Sequence, residues 1–448
     1  MSVQMNKIKF LFCGVLTAGV VNAADIEQVI VRQQWPWSTD VKVEYKISQV
    51  TKPIDIIVTA YNGDEELKSE TLAQSMRGDI YGVSQDGVGS IIIDPVKAFG
   101  TQNVVLSNFN VKLSLKDSVD GINEKLYKII DLDSGKVTDV TRADFYNNRG
   151  YGTYETNYSV FGSGGWNTSL KDVLVWTGVT NDVYKTSKLV LRRIKVSDGA
   201  WTMGSNSDST ASPAHKVKLT EDYYIGVFEV TQEQMYRLTK SYGYAFTDVQ
   251  GHERMPICQI RWDIELGRPF DWPATSREET EMSRYGFFGE LRAKTGNKIL
   301  FDLPTEAEWE YACRAGTDTL YYTGRSDEHD RGLLAYRMND GRDDAVGPSE
   351  VGKYLPNAFG LYDMYSNAHE WCLDCYGAYS SDASDGSSQV DPAGPVGSGD
   401  SPNRVARGGN WNTVYGAKTL ATTLRLNLKP GAYNESNCAG CRVWCPAD

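Results

Sequence analysis

Residues Asn357–Cys372 read NAFGLYDMYSNAHEWC, and the organisation of the chain turns on how they are read. Asn357-Ala-Phe-Gly360 is a turn-forming approach to the apolar run Leu361-Tyr362-Asp363-Met364. A compact polar cluster follows, Asn367, His369 and Glu370, closed by Trp371 and Cys372. Polar groups set between apolar segments imply a buried or half-buried site with oxygen ligands. Such a site performs chemistry, holds a metal or only builds a core.

Upstream lies Asp302-Leu-Pro-Thr-Glu-Ala-Glu-Trp-Glu-Tyr-Ala312. Thr305 and Glu308 form a capping box, in which each side chain satisfies an orphan amide at a helix start. Trp309, Ala312 and Cys313 then share one apolar face, and Gly316 ends the helix. Cys313 reads as a small core residue. Glu306, Glu308 and Glu310 read as first-turn acids that favour the helix dipole. Thr231 with Gln234, and Ser276 with Glu279, repeat the capping device. Gly347-Pro-Ser-Glu-Val-Gly352-Lys353 mimics a phosphate-binding loop, but Tyr354 stands where a hydroxyl should bind magnesium, so it is rejected. Beyond Gly316 the chain is rich in Gly, Asn, Asp and Trp, and a compact domain built largely from loops is expected from about Ser187 to the C-terminus.

The other end is different. Val41, Val43, Tyr45 and Ile47 alternate with polar residues, as do Phe109, Val111, Leu113 and Leu115, which marks half-buried strands. Asn62-Gly63 and Asp133-Ser134-Gly135 are turn signals. Residues 24–135 are expected to form a small all-β, immunoglobulin-like sandwich without a catalytic constellation. Residues 136–186, tyrosine-rich and broken by glycines, read as an irregular connection. At the start, Lys7 and Lys9 precede an apolar run from Phe10 to Val21 and the small-residue site Val21-Asn22-Ala23. That order is a signal peptide, residues 1–23, and implies a secreted or periplasmic protein.

With 448 residues, two domains are the default. The formal net charge is −12, and the expected leader carries two lysines and no acid. An acidic chain without basic runs is a poor partner for nucleic acid, and no apolar run suits membrane insertion of the mature chain. Of eight cysteines, Cys13 falls in the leader, leaving an odd number in an oxidising setting, where some are expected to pair. Cys372 and Cys375 with Cys438 and Cys441 also have zinc-ribbon spacing, ranked below disulfides.

Taken together, the motifs resemble the formylglycine-generating enzyme, or sulfatase-modifying factor, family. Asp302–Ala312 resembles its RLPTEAEWEYA signature, and Ser366-Asn-Ala-His-Glu-Trp371 its GN-x-WEW motif. Arg407-Gly-Gly-Asn-Trp411 resembles RGGSW, and Gly440-Cys-Arg-Val443 the terminal GFRV. Trp201–Ser205 and Tyr224–Thr231 match its opening motifs. The resemblance covers residues 187–448 and implies an α+β, C-type-lectin-like fold with few regular elements.

The family's enzymes oxidise a substrate cysteine with copper held by two cysteines. Counted from Gly408, those positions hold Thr413 and Lys418, and soft thiolate ligation is what selects Cu(I). Copper is therefore not expected, and catalysis stays open. The resemblance also implies a structural calcium held by Asn367, the Ala368 carbonyl and Glu370, a hard-oxygen set. It further suggests a disulfide from Cys375 to Cys441 or Cys445, because both cysteines stand where the family has aromatic residues. The expected function is a non-catalytic or divergent binding protein with a groove at Asn410, Trp411 and Arg425. Its ligand would be a peptide, a protein or a glycan. The alternative is an oxidoreductase of this family with altered metal ligation. His369, in place of the motif's first Trp, has no account at this level.

Overall fold

The computed structural model describes residues 24–34, 38–100, 104–106, 108–147, 150–151, 155–156, 174–242, 250–322, 347–380, 387–398, 401–411, 421–431 and 438–447. The expected leader lies outside the described residues. The chain divides into two compact units, Met1–Lys125 with Thr141–Gly152, and Leu126–Val140 with Thr153–Asp448.

In the first unit two antiparallel sheets contribute to one core. Four strands run in the order Asp25–Gln33, Val41–Ser48, Gly87–Ile93, Met76–Gly78, and three in the order Glu65–Glu66, Ile54–Asn62, Phe109–Asp117. The alternation in Val41–Ser48 is real: Val41, Val43, Tyr45 and Ile47 are all buried, and the residues between them are not. On the edge strand Phe109–Asp117 the same pattern leaves its apolar residues only half-buried. Asn62 pairs with Glu65 across a hairpin whose Gly63 has φ 65°, a conformation glycine adopts without strain. Three short helices, Ser69–Ser75, Pro95–Phe99 and Arg142–Tyr146, also belong to this unit.

The second unit is sheet-rich with few helices. Its five-stranded sheet runs Trp444–Pro446, Tyr223–Gly226, Lys188–Ile194, Lys125–Asp131, Val137–Thr141. This corrects the expected boundary at residue 135. Lys125–Asp131 pairs with Lys188–Ile194, so it belongs with the second unit. It reads KLYKIID, and its five central residues are all buried. A strand covered on both faces shows no alternation. The segment 136–186 is likewise more regular than expected where it is described. Val137–Thr141 is a strand, and Arg142–Tyr146 is a helix with a Thr141–Asp144 capping box.

A four-stranded sheet carries the stretch first quoted: Leu426–Leu428, Arg404–Arg407, His369–Cys375, Ala439–Gly440. The helices Gln232–Thr239 and Glu306–Arg314 both open on the expected capping boxes. The third one does not start a helix. Ser276 accepts from Glu279 N at 3.3 Å but closes only a turn, and the nearest helix is Phe287–Lys294.

Candidate functional site

The turn before strand His369–Cys375 is held in left-handed backbone, with φ of 57° at Asp363, 67° at Ser366 and 61° at Asn367. Asp and Asn tolerate that region better than most residues do. The turn aims its carboxylates inward. Glu370 accepts from Arg442 Nη2 at 2.6 Å and Nε at 3.0 Å, and from Trp309 Nε1 at 2.6 Å. Arg442 also donates to the carbonyls of Gly226, Val227 and Tyr362, each at 2.9 Å. Glu229 accepts from Asn367 Nδ2 at 2.6 Å and Ala368 N at 2.8 Å. Asn367 Oδ1 accepts from Ser349 N at 2.9 Å. That last bond ties the false phosphate loop to the turn.

Three carboxylates thus crowd one buried place. Burial, then Asp363 and Glu370, push Glu229 well above the usual carboxylate range. Burial pushes Asp363 up to about 6. Its Oδ2 accepts from Gly352 N at 2.6 Å, while Oδ1 is buried without a donor. The calcium set expected from the sequence is therefore only partly available. Asn367 and Glu370 are engaged by protein groups, and the carboxylate oxygen left open belongs to Asp363. The sequence reading missed both Glu229 and Asp363. The signal was there: each is a lone acid inside an apolar run, Ile225–Val230 and Leu361–Met364, and a buried acid needs partners.

A second ionic cluster lies on helix Glu306–Arg314. Glu306 and Glu310, one turn apart, share a buried face. Arg407 bridges them, at 3.0 Å to Glu306 and 2.5 Å to Glu310. Arg425 donates to both oxygens of Glu306, at 2.5 and 2.9 Å, and Arg314 pairs with Glu310 at 2.6 Å. Burial opposes the Glu310 charge, but Arg407 and Arg314 outweigh it and hold its carboxyl below the usual range. Only Glu308 faces away, capping the helix and pairing with Arg277 at 2.6 Å. Glu306 and Glu310 are thus core ion pairs rather than dipole decoration.

The expected groove is divided. Asn410 and Trp411 dock on the turn: Asn410 O accepts from Ser366 Oγ at 3.2 Å, and Trp411 N donates to Asn367 O at 3.0 Å. Arg425 instead joins the Glu306 cluster, stacked on Tyr379 at 3.9 Å, with Nη1 donating to Thr210 O and Gly377 O. Thr413 and Lys418 lie outside the described residues.

The cysteines depart from expectation. Cys258 and Cys438 form a disulfide that packs with Ala368 and Trp411. Cys375, Cys441 and Cys445, the proposed bridge partners, are buried and take no part in this disulfide. The physical reason is placement. Cys441 and Cys445 point into a core with Trp371 and Leu373, and Cys375 pairs across the strands with Arg404. The zinc-ribbon alternative fails with them, since Cys438 is consumed by the disulfide. Cys313 is the core thiol expected, pushed up by burial to about 12. His369 is buried as well: desolvation lowers it to about 3, and Nδ1 has no partner.

The family model of the sulfatase-modifying factor enzyme 1-like domain matches residues 180–443. Over 282 residues the chain is 29% identical to the serine/threonine-protein kinase pkn1 of Chlamydia pneumoniae, covering 61% of this chain and 42% of that protein. It therefore spans about two fifths of the length of such curated relatives. Over 253 residues it is 23% identical to the formylglycine-generating enzyme of Bos taurus, 49% of this chain and 66% of that enzyme. Among solved structures, Treponema denticola variable protein 1 is similar over 58% of this chain and 96% of that chain, at 25% identity and a TM-score of 0.46. The motifs and a family match over more than half of the residues agree, and the chain belongs to the sulfatase-modifying factor family.

Proposed function

We propose that this chain is an exported, ligand-binding member of its family, with a lectin-like scaffold that takes a peptide, protein or glycan. One observation carries the reading. All seven cysteines beyond the leader are accounted for, two in a disulfide and five buried in the core. Copper oxidation of a substrate cysteine needs a pair of thiolates free to hold the metal. The sulfurs packed with Trp411 in this cluster belong to the Cys258–Cys438 bridge. The bridge itself supports export, since disulfides persist in oxidising compartments. The direct test incubates the purified protein with copper and a cysteine-containing sulfatase peptide. No mass loss on the peptide cysteine is expected; a loss would establish the alternative, an oxidoreductase of this family with altered metal ligation.

The calcium proposal is kept with a changed ligand set. Asp363 would supply a carboxylate oxygen and Ala368 a carbonyl, which is hard-oxygen chemistry. The buried Asp363 Oδ1 without a donor supports it. Metal analysis of the protein as purified decides: stoichiometric calcium is expected, and its absence, with no thermal shift on adding calcium to chelated protein, would reject the site.

A further inference from the structure

Cys375 and Arg404 are directly paired across antiparallel strands. Arg404 is fully buried. Its Nη1 donates to the carbonyls of Leu373 at 2.7 Å and Trp272 at 3.2 Å, and the guanidinium lies 4.7 Å from the Trp262 ring centroid. Nε and Nη2 have no acceptor. The other fully buried arginines, Arg268, Arg407 and Arg442, each have a carboxylate partner. Arg404 has none among the described residues. A buried, uncompensated cation is costly, and an anion beside it would relieve that cost.

The neighbour able to become that anion is Cys375. Its Sγ donates to the same Trp272 carbonyl, at 3.8 Å. Burial pushes the thiol up, and the strongest opposing influence is Arg404; for Arg404, the strongest attraction against burial is Cys375. Gly397 packs directly against the sulfur, since a Cβ there would stand 2.7 Å from it. Only a small reagent can reach a sulfur so enclosed.

We propose that Cys375 is a peroxide-sensitive modification site, with Arg404 as the built-in counter-charge for its oxidised form. The Cys375 thiolate attacks one oxygen of a hydroperoxide. The O–O bond breaks, an S–O bond forms, and the leaving hydroxide takes up a proton as water. Sulfur loses two electrons and the peroxide gains them. The sulfenate oxygen then accepts from the Nε and Nη2 hydrogens of Arg404.

The experiment exposes the folded full chain to hydrogen peroxide, removes the peroxide with catalase, then unfolds the protein with dimedone present and maps the label by mass spectrometry of digests. Labelling of Cys375 about tenfold faster than of Cys313 or Cys372 is expected, because Arg404, without a carboxylate partner, is the strongest influence opposing burial at this thiol. Cys375→Ser should lose the label, Arg404→Lys should keep it, and Arg404→Gln should slow it to the level of Cys313. Equal labelling of the three cysteines, or none at Cys375, overturns the proposal. That comparison needs only the unaltered protein, so it holds even where Arg404→Gln fails to fold.

Discussion

Asp374 is a buried carboxylate that the fold holds at the edge of neutrality. Burial, then Glu306, raise it from 3.8 to about 7, although its Oδ2 accepts from Glu306 N at 2.7 Å. Because the folded value lies above the unfolded one, the contribution of Asp374 to stability is full below 3.8 and is lost as the pH rises towards 7. His369 acts in the opposite sense. Its folded value, about 3, lies below the ordinary 6.5, so its contribution is present above 6.5 and is lost as the pH falls towards 3. Asp374→Asn keeps an acceptor for the Glu306 amide and removes the charge. The gain in unfolding free energy from pH 8 to pH 5 should shrink by roughly 2 kcal/mol. Urea titrations at both pH values measure it, and an unchanged gap would remove Asp374 from the account.

At the scale of one element, helix Glu306–Arg314 shows what was legible and what was not. Its start was readable because a capping box is a local device: Thr305 Oγ1 accepts from Glu308 N, and Glu308 accepts from Thr305 N. Thr305→Ala should cost about 1 kcal/mol by the usual value of a cap; a thermal melt unchanged by the substitution would show the helix held by packing alone. Its buried acids were not readable, because Arg407 and Arg425 lie about a hundred residues away in sequence. Ser276 and Glu279 carry the same local signal without a helix, since nothing after them supplies an apolar face to bury. The disulfide escaped for a related reason. Cys258 and Cys438 are 180 residues apart, and cysteine spacing does not encode connectivity.

For the whole molecule, the family assignment was legible from motifs, whereas the boundary between units was not. The family match begins at residue 180, which invites a fragment starting there. Such a fragment lacks Lys125–Asp131 and leaves one side of Lys188–Ile194 without its partner strand. An open, buried-type edge is an aggregation hazard. The fragment 180–448 should therefore be less soluble and melt lower than the full chain. Equal solubility and melting temperature for the two would show that the strand is dispensable.

The allocation of residues between units also bears on inheritance. The backbone enters the second unit after Lys125, returns to the first at Thr141, and leaves it again after Gly152. A gene fusion that exchanges one unit for another cannot do so with a single crossover, because any one breakpoint strands a piece of one body inside the other. Exchanging one unit alone therefore takes a breakpoint at each of these crossings.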